Sequence, residues 1–398
     1  MKHHLKSIGL LLTLFLGPAL ATPAETIAFS DHWRFIRADE AQATASGFDD
    51  SKWESVTLPH TARVEALVAG KENPQWQGIC WYRKTFALPK DAADKNIILR
   101  FDGAMNVAEI WVNGQSAGKF MGGYLPYVMD ISALAKPGAK NVVAVRLDNR
   151  DNPITGPKPL VDLDFNLYGG LYRNAHLIIK DRLHITEPIL ADKVGSGGVF
   201  VTFPEVSQET ATIKVQTHVK NTDTNSRAFT LKSTLLDASG KAVASLETTP
   251  NPLSAGADQE FVQQIRIAKP NLWSPNTPYL YRVRTELVAD RKVIDAEETR
   301  IGIRHIEITK DGFRINGEKM FLRGANRHQE YPYIGNALSD AAQYRDALKI
   351  KEAGFDYVRL SHYPQSPAFM DACDELGLVV MNCLMGWQYF GKDPAFAE

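Results

Sequence analysis

The pattern that most constrains the fold is an alternation of apolar strands and helices near the C-terminus. Strands are predicted at residues 319–325, 355–361 and 377–385, with helices between them at 339–354 and 366–377. Near-continuous apolar strands that alternate with helices are typical of a parallel sheet buried on both faces. A complete (β/α)8 barrel takes about 250 residues. Residues 305–398 are therefore predicted to form only the first part of a TIM barrel.

Both helices have recognisable ends. Asp340 is predicted as the N-cap of the first helix, and Gly354 closes it. In the second helix, Ser366 is the predicted N-cap, Pro367 occupies the first helical position and Gly377 follows the end. These signals make the two helices the best-defined local predictions in the chain.

The preceding residues carry all-β patterns. Residues 24–185 contain short β-branched and aromatic strands with frequent turns, which is typical of a jelly-roll sandwich. The predicted strands there include residues 80–88, 96–104, 107–114 and 141–149. Asn113-Gly114 is a two-residue type I′ hairpin signal within this region.

A second all-β unit is predicted at residues 186–304. Alternating strands at 212–220 and 261–268 are followed by a turn-rich segment at 271–288. The size of this unit, about 100 residues, suits an immunoglobulin-like sandwich. The chain is thus predicted to be multidomain, with two β-sandwiches before the barrel strands.

The first 21 residues have the composition of an export signal. Lys2 and Lys6 precede an apolar stretch at 8–16, and Ala19-Leu20-Ala21 has the small-x-small pattern that signal peptidase cuts. The apolar stretch is shorter than the roughly 20 residues that span a bilayer. We expect cleavage after Ala21 and a periplasmic or secreted protein without a membrane segment.

Composition excludes some functions. The net charge is −1, and lysine and arginine are scattered, which argues against binding to nucleic acid. The three cysteines, Cys80, Cys373 and Cys383, are too few and irregular for a disulfide framework or a zinc site. Buried free thiols are expected, with one bridge left as an alternative.

Polar and aromatic residues gather where the three predicted barrel strands end. Function in parallel α/β barrels lies at the carboxyl ends of the strands. The residues in question are Asn326, Arg327, His328, Gln329 and Glu330 after the first strand, Arg359, Ser361, His362 and Tyr363 after the second, and Asn382 and 386–389 after the third. Because all three strands end in this way, the residues are predicted to line one binding site.

Each of these residues also has a purely structural interpretation. Arg359 could pair with a barrel carboxylate, His328 and His362 could be ordinary rim histidines, and Trp387 could cap the core. Taken singly, these readings and the functional ones have similar weight. The coincidence of the whole set at one edge favours function, and histidine, arginine and aromatic groups suit sugar hydroxyls, a carboxylate and the apolar face of a sugar.

Several segments resemble glycoside hydrolase family 2, which includes β-galactosidases, β-glucuronidases and β-mannosidases. The similar segments are GANRHQEYP at 324–332, AGFDYVRLSHYPQSPAFMDACDELGLVV at 353–380, FNLYGGLYRNAHL at 165–177 and LWSPNTPYLY at 272–281. The resemblance covers essentially the whole chain after the signal sequence. It implies a sugar-binding jelly roll, a sandwich domain and a catalytic barrel, in that order.

The resemblance implies substrate-binding roles for six residues: Asp164, Asn326, His328, Arg359, His362 and Trp387. Asp164 matches an aspartate that reaches from the jelly roll to sugar hydroxyls, although an isolated Asp there reads as a turn residue. His328 and His362 match histidines that contact the sugar, and Arg359 matches an arginine that supports the nucleophilic carboxylate.

Some positions depart from the family pattern. Gln329 stands where a glutamate commonly follows the histidine, Asp356 replaces an asparagine, Leu360 replaces a small residue, and residues 381–384 lack the acidic residues often found there. These departures leave the galactosidase subtype open, together with a metal site of that type.

The resemblance implies a retaining glycosidase that acts on β-linked oligo- or polysaccharides, and the signal sequence adds the expectation that it is exported. Retaining enzymes use two carboxyl groups about 5–5.5 Å apart, and the family's two glutamates follow barrel strands four and seven, beyond Glu398. Glu330 and Glu398 are expected to be solvated loop carboxylates, so we expect no catalytic residue here and no turnover by this chain alone. β-Galactosidase is the leading interpretation; β-glucuronidase and a non-catalytic carbohydrate-binding protein are the alternatives.

No cofactor is firmly implied, and a divalent or monovalent cation is left open for the longer enzyme. No metal ligands are predicted in this chain. A homo-oligomer is also left open.

Overall fold

The computed structural model describes residues 24–64, 75–155, 159–163, 165–384 and 391–396. These residues form two antiparallel β-sandwiches followed by a parallel three-stranded sheet with two helices. The multidomain fold class predicted from the sequence is confirmed. The predicted signal peptide at 1–21 lies outside the described residues. Within the described ranges, no helix combines the length and apolar character needed to cross a membrane.

In its described residues, the first sandwich contains ten strands in two sheets, ordered β1-β10-β5-β8 and β3-β2-β4-β9-β6-β7. Every pairing within the two sheets is antiparallel. The strands are β1 Glu25–Ala28, β2 Trp33–Ile36, β3 Glu54–Val56, β4 Ile79–Ala87, β5 Lys95–Phe101, β6 Val107–Val112, β7 Gln115–Met121, β8 Tyr127–Asp130, β9 Lys140–Asp148 and β10 Ala175–Asp181. Short 3-10 helices lie at Ala41–Thr44, Lys90–Asp94 and Leu160–Asp162.

Alternating burial explains how these strands form a sandwich. In β6, every second residue is buried, so one face of the strand packs inward. Trp33, Leu99 and Val145 belong to the core between the two sheets, and each is fully or almost fully buried. The predicted hairpin turn at Asn113-Gly114 is present, with φ values of 53° and 83°, and it joins β6 to β7.

The second sandwich contains nine strands and one short helix. Its strands are β11 Leu183–Ile185, β12 Val199–Val206, β13 Thr210–Asn221, β14 Arg227–Leu236, β15 Ala242–Glu247, β16 Asn251–Leu253, β17 Asp258–Ala268, β18 Tyr281–Ala289 and β19 Lys292–Ile301, and helix α1 is Pro188–Ala191. In one sheet, β13 pairs with β11, β12 and β17; in the other, the order is β15-β14-β18-β19, with β16 also paired to β14. Ile213, Leu235 and Val283 pack between the sheets.

The third unit begins with a small antiparallel sheet and continues as the parallel sheet. Its elements are β20 Ile306–Thr309, β21 Gly312–Ile315, β22 Glu318–Lys319, β23 Gly324–Arg327, α2 Asp340–Glu352, β24 Tyr357–Leu360, α3 Pro367–Leu376 and β25 Val379–Met381, followed by a 3-10 helix at Pro394–Phe396. The parallel order is β23-β24-β25. Val358 and Leu360 pack against the two helices, so this face of the sheet is buried.

Two local predictions in this unit were wrong. The first barrel strand, predicted at 319–325, lies at Gly324–Arg327, because the start of that segment pairs with β21 through β22. The N-cap of α2 is Ser339 and not Asp340, since the Ser339 hydroxyl accepts from the backbone N–H of Ala342 over 3.3 Å. Asp340 instead accepts two hydrogen bonds from Asn174, at 3.2 and 3.1 Å.

The ends of α3 match the prediction. Ser366 caps the helix, Pro367 opens it, and Gly377 follows it in the left-handed region at φ 74°. A Cβ at Gly377 would lie 2.4 Å from the carbonyl oxygen of Pro275 in the second sandwich. The glycine is therefore required both by the backbone conformation and by close packing between the two units.

Cys80 and Cys373 are free and buried, and Cys383 is free and partly buried. Burial raises the pKa of the Cys373 thiol to about 12, so this sulfur stays protonated at neutral pH.

Candidate functional site

The ends of β23 and β24 bring together the polar residues expected there. Asn326 lies directly opposite Arg359 in the parallel register. Because side chains alternate along a strand, Arg359 points away from the face on which Val358 and Leu360 meet the helices. Its guanidinium is half-buried, contacts the Ser361 hydroxyl at 3.4 Å, and forms no salt bridge with a residue that the structure describes.

The two predicted histidines lie side by side just beyond these strands. The ring centroids of His328 and His362 are 5.3 Å apart, with the planes at 78°. The ring of Phe165, from the first sandwich, lies 5.2 Å from His328 and 5.9 Å from His362. A jelly-roll loop thus forms one wall beside the imidazoles, next in sequence to the predicted Asp164.

Tyr363 links His328 to the first sandwich. Its hydroxyl hydrogen bonds with Nδ1 of His328 at 3.3 Å and accepts from the backbone N–H of Gln329 at 3.4 Å. Its ring stacks on Tyr124 of the first sandwich, with centroids 4.3 Å apart and planes at 6°. Burial raises the pKa of Tyr363, so its hydroxyl stays neutral at physiological pH.

Glu330 was wrongly expected to be a solvated carboxylate. It is half-buried, and its Oε1 accepts from the backbone N–H of Asn166 over 3.2 Å. The Asn166 side-chain amide also donates to Oε2. Glu330 therefore ties the barrel loop after β23 to the jelly-roll loop that carries Phe165.

Arg327 does not belong to the site, although it was grouped with the strand-end residues. It is buried and lies on the helix-facing side, where it donates to Gln343 and Asp346 over 2.7 Å each. Its guanidinium lies 3.9 Å from the ring centroid of Phe369. Burial lowers the pKa of Arg327, and Asp346 opposes that shift by favouring the charged form. Arg327 fixes the helices to the sheet.

Sequence reasoning missed Arg173, which joins the first sandwich to both barrel loops. It is buried and donates to Oε1 of Gln329 over 3.0 Å and to the carbonyl oxygen of Pro364 over 2.8 Å. Within its own domain it donates to the carbonyl oxygens of Asp102 and Tyr124. The sequence signal that could have identified Arg173 is its position within residues 165–177, one of the segments that resemble the family.

Two predicted substrate-binding residues, Asp164 and Trp387, lie outside the described residues. Asn326, His328, Arg359 and His362 are described and lie along one edge of the parallel sheet. Across the described ranges, no cluster of three or more His, Cys, Asp or Glu side chains is arranged to hold a metal ion.

Comparison with family models gives three adjacent matches. The sugar-binding domain of glycosyl hydrolases family 2 matches residues 19–181, a second model of that family matches 198–304, and its TIM barrel domain matches 306–386. The order agrees with the two sandwiches and the barrel strands described above.

Individual proteins are similar over nearly the whole chain. A β-galactosidase from Thermoanaerobacter pseudethanolicus is 34% identical over 93% of this chain and 48% of its own length. A β-glucuronidase from Formosa agariphila is 32% identical over 89% of this chain and 38% of its own length. The crystal structure of Bacteroides uniformis β-glucuronidase superposes with a TM-score of 0.86 at 33% identity, covering 94% of this chain and 44% of that one.

The chain thus spans less than half the length of each of these relatives. Three adjoining family matches, in the order of the three folded units, show that the chain belongs to glycosyl hydrolases family 2.

Proposed function

We propose that the protein containing this chain is an exported retaining glycoside hydrolase that removes terminal β-linked sugars. The observation that supports this most is the grouping of His328 and His362 beside Phe165, where the parallel strands end. Imidazoles exchange hydrogen bonds with sugar hydroxyls, and an aromatic ring can cover the apolar face of a sugar ring. In a parallel α/β barrel this end of the sheet is where substrate binds.

Arg359 has a defined role in this proposal. Its half-buried guanidinium has no salt bridge with a described carboxylate, and it donates a hydrogen bond to the Ser361 hydroxyl. A carboxylate placed beside it would form a charge-assisted hydrogen bond and would remain ionised, as a nucleophile must. Arg359 is therefore assigned to support the catalytic nucleophile, which a later part of the barrel supplies.

β-Galactosidase is the leading activity and β-glucuronidase the second. Both names occur among the relatives at similar identity, 34% and 32%. A glucuronidase must recognise a carboxylate that a galactosidase substrate lacks, so the two activities separate cleanly on substrates with the same leaving group.

The test begins by reading the gene beyond the codon for Glu398 and expressing the whole encoded protein. Aryl β-galactoside and β-glucuronide are then compared, with His362→Ala as the site variant and His305→Ala as its control; the His305 side chain is 50% exposed and pairs with Glu307. We expect His362→Ala to lower kcat/KM by about 100-fold or more and His305→Ala to have no effect.

Absence of hydrolysis with every β-glycoside, or full activity in His362→Ala, would overturn the proposal. A stop codon directly after Glu398 favours the non-catalytic carbohydrate-binding alternative. Turnover by the isolated 398-residue chain would mean that the catalytic carboxyl pair has been misplaced.

Export is tested separately. The N-terminal sequence of the protein recovered from the periplasm or medium should begin at Thr22, the residue after the predicted cleavage site. A mature protein that begins at Met1 would contradict export.

A further inference from the structure

An exposed tyrosine near the site adopts a backbone conformation that bulky residues rarely take. Tyr333 has φ 70°, in the left-handed region, and its side chain is 78% exposed. Aromatic residues pay a steric penalty there, and this one gains little packing in return. Such a combination points to a use for the exposed ring.

The loop that presents this ring, residues 331–335, is held firmly. Tyr331 and Gly335 exchange backbone hydrogen bonds at 2.9 and 3.0 Å. The Thr61 hydroxyl, from the first sandwich, donates to the carbonyl oxygen of Ile334 over 2.7 Å. These contacts fix the loop that carries the exposed Tyr333 ring. Because the loop is already ordered, a ligand that binds the ring pays a smaller entropy cost.

This loop directly follows the proposed sugar site in the sequence. It follows Glu330, whose carboxylate holds the jelly-roll loop that carries Phe165 beside the histidines. Tyr333 is five residues from His328, so their Cα atoms are at most about 17 Å apart. A short oligosaccharide that entered the site could therefore also contact the loop.

A cation lies beside one of the two aromatic rings of this loop. The guanidinium carbon of Arg345, on α2, lies 5.0 Å from the ring centroid of Tyr331. Arg345 is exposed and has no salt bridge with any carboxylate in the described ranges. Stacking on the ring restrains the guanidinium, and its planar donors match carboxylate and sulfate oxygens.

We propose that Tyr331, Tyr333 and Arg345 form a distal subsite that binds acidic sugars of a β-linked polysaccharide. The tyrosine rings stack on the apolar faces of sugar rings, and Arg345 pairs with a uronate carboxylate or a sulfate ester. This inference rests on the proposed function for its ligand class. It adds a second contact that extends recognition beyond the terminal sugar.

Affinity electrophoresis of the whole encoded protein tests the subsite. Gels containing a uronate-rich, a sulfated or a neutral β-linked polysaccharide are compared, using Tyr333→Gly, Arg345→Gln and the control Phe200→Ala, an exposed aromatic in the second sandwich that is 41% accessible. Glycine suits the positive φ, so Tyr333→Gly should keep or raise the melting temperature. A loss of retardation in that variant therefore reports binding and not unfolding.

We expect the acidic polysaccharides to retard the unmodified chain and Phe200→Ala equally. Tyr333→Gly should weaken that retardation about fivefold, and Arg345→Gln should weaken it about tenfold for acidic polymers only. Retardation by the uronate-rich gel or by the sulfated gel identifies which anion is bound. The inference is overturned if no acidic polymer retards the chain, if the variants behave as Phe200→Ala, or if the neutral polymer binds equally well.

The two proposals fail separately. Hydrolysis of aryl glycosides by the whole protein tests the proposed function, whereas retardation tests the distal subsite. A protein that lacks hydrolysis but is retarded through Tyr333 would refute only the former.

Discussion

Arg173 of the first sandwich donates a hydrogen bond to Gln329 of the barrel over 3.0 Å, and both side chains are buried. The other acceptors of Arg173 are backbone carbonyl oxygens, including that of Pro364. Arg173 has no salt bridge with a carboxylate in the described part of the chain. A buried cation is thus held by neutral oxygens from two domains, at the base of the loops that bear His328 and His362.

Replacing Arg173 with alanine should destabilise the protein strongly. The change leaves two buried carbonyl oxygens, one half-buried carbonyl oxygen and the buried Gln329 amide oxygen without this donor. We expect the free energy of unfolding to fall by about 3 kcal/mol. Arg150→Ala is the control, because the Arg150 side chain is 58% exposed and its loss should cost under about 0.5 kcal/mol. Urea unfolding measures both, and equal costs would contradict the assigned role.

Gln329→Glu should stabilise the domain contact at neutral pH. Gln329 is fully buried, and its Nε2 has no hydrogen-bond partner among the described residues. The substitution removes that unpaired donor and places a carboxylate beside the Arg173 guanidinium, for a gain of about 1 kcal/mol.

The pH dependence of this gain has a definite sign. Arg173 should hold the new carboxyl pKa below its unfolded value of about 4.3, so the gain is complete above roughly pH 5. It is lost as the pH falls through the lowered pKa. Unfolding free energies at pH 7 and pH 4 test this; a less stable variant at pH 7 would show that desolvation of the carboxylate dominates.

The stacked tyrosines Tyr124 and Tyr363 should respond oppositely to loss of their hydroxyls. The Tyr124 hydroxyl is buried without a hydrogen-bond partner among the described residues, so Tyr124→Phe should be neutral or stabilising. Tyr363→Phe removes contacts to His328 and Gln329 and should cost about 1 kcal/mol. Thermal unfolding compares them, and each variant is the control for the other. Equal effects would contradict the assignment.

Stability should fall in mild acid because of buried His184. Burial is the main cause that lowers the His184 pKa to about 4, and the Lys180 charge adds to it. Between about pH 6.5 and pH 4, the unfolded chain binds a proton that the folded chain does not. Above about pH 6.5, His184 does not lower the free energy of unfolding. As the pH falls from there towards about 4, the free energy of unfolding decreases by up to about 3 kcal/mol.

His184→Gln isolates this effect from other titrating groups. The difference in unfolding free energy between pH 7 and pH 4.5 should be smaller in this variant than in the unmodified chain. His305→Gln, at a half-exposed position, should keep the full difference. A His184→Gln variant with an unchanged pH dependence would rule out His184 as the source.

Local patterns predicted much of the fold. Asn113-Gly114 formed its turn, and Ser366, Pro367 and Gly377 delimited α3. These features depend on the conformational preferences of a few neighbouring residues. Pairing between strands determined what local patterns could not predict. Because β22 pairs with β21 in a small antiparallel sheet, the first barrel strand begins at Gly324 and not at Lys319.

The sequence predicted which strand ends form the candidate site, but not which residues hold its loops in place. The strand ends identified Asn326, His328 and Arg359, because parallel strands end at one edge. Arg327 was misplaced, although side-chain alternation alone separates it from Asn326. Glu330 and Arg173 take their partners from more than 150 residues away, and no local pattern reveals such partners. The substrate-binding roles of all six predicted residues, including Asp164 and Trp387 outside the described ranges, remain predictions.

The contacts around Gly377 limit how far the second sandwich and the barrel strands can move apart. Besides the close approach of Gly377 to Pro275, the Trp273 indole donates to the carbonyl oxygen of Asp374 over 2.7 Å, and Lys351 donates to that of Pro275 over 2.9 Å. Arg173 fixes the opposite side of the barrel strands to the first sandwich. With both flanks clamped, a hinge-like opening between domains would break these polar contacts. Under the proposed function, we therefore expect sugar entry and release to depend on the mobility of individual loops.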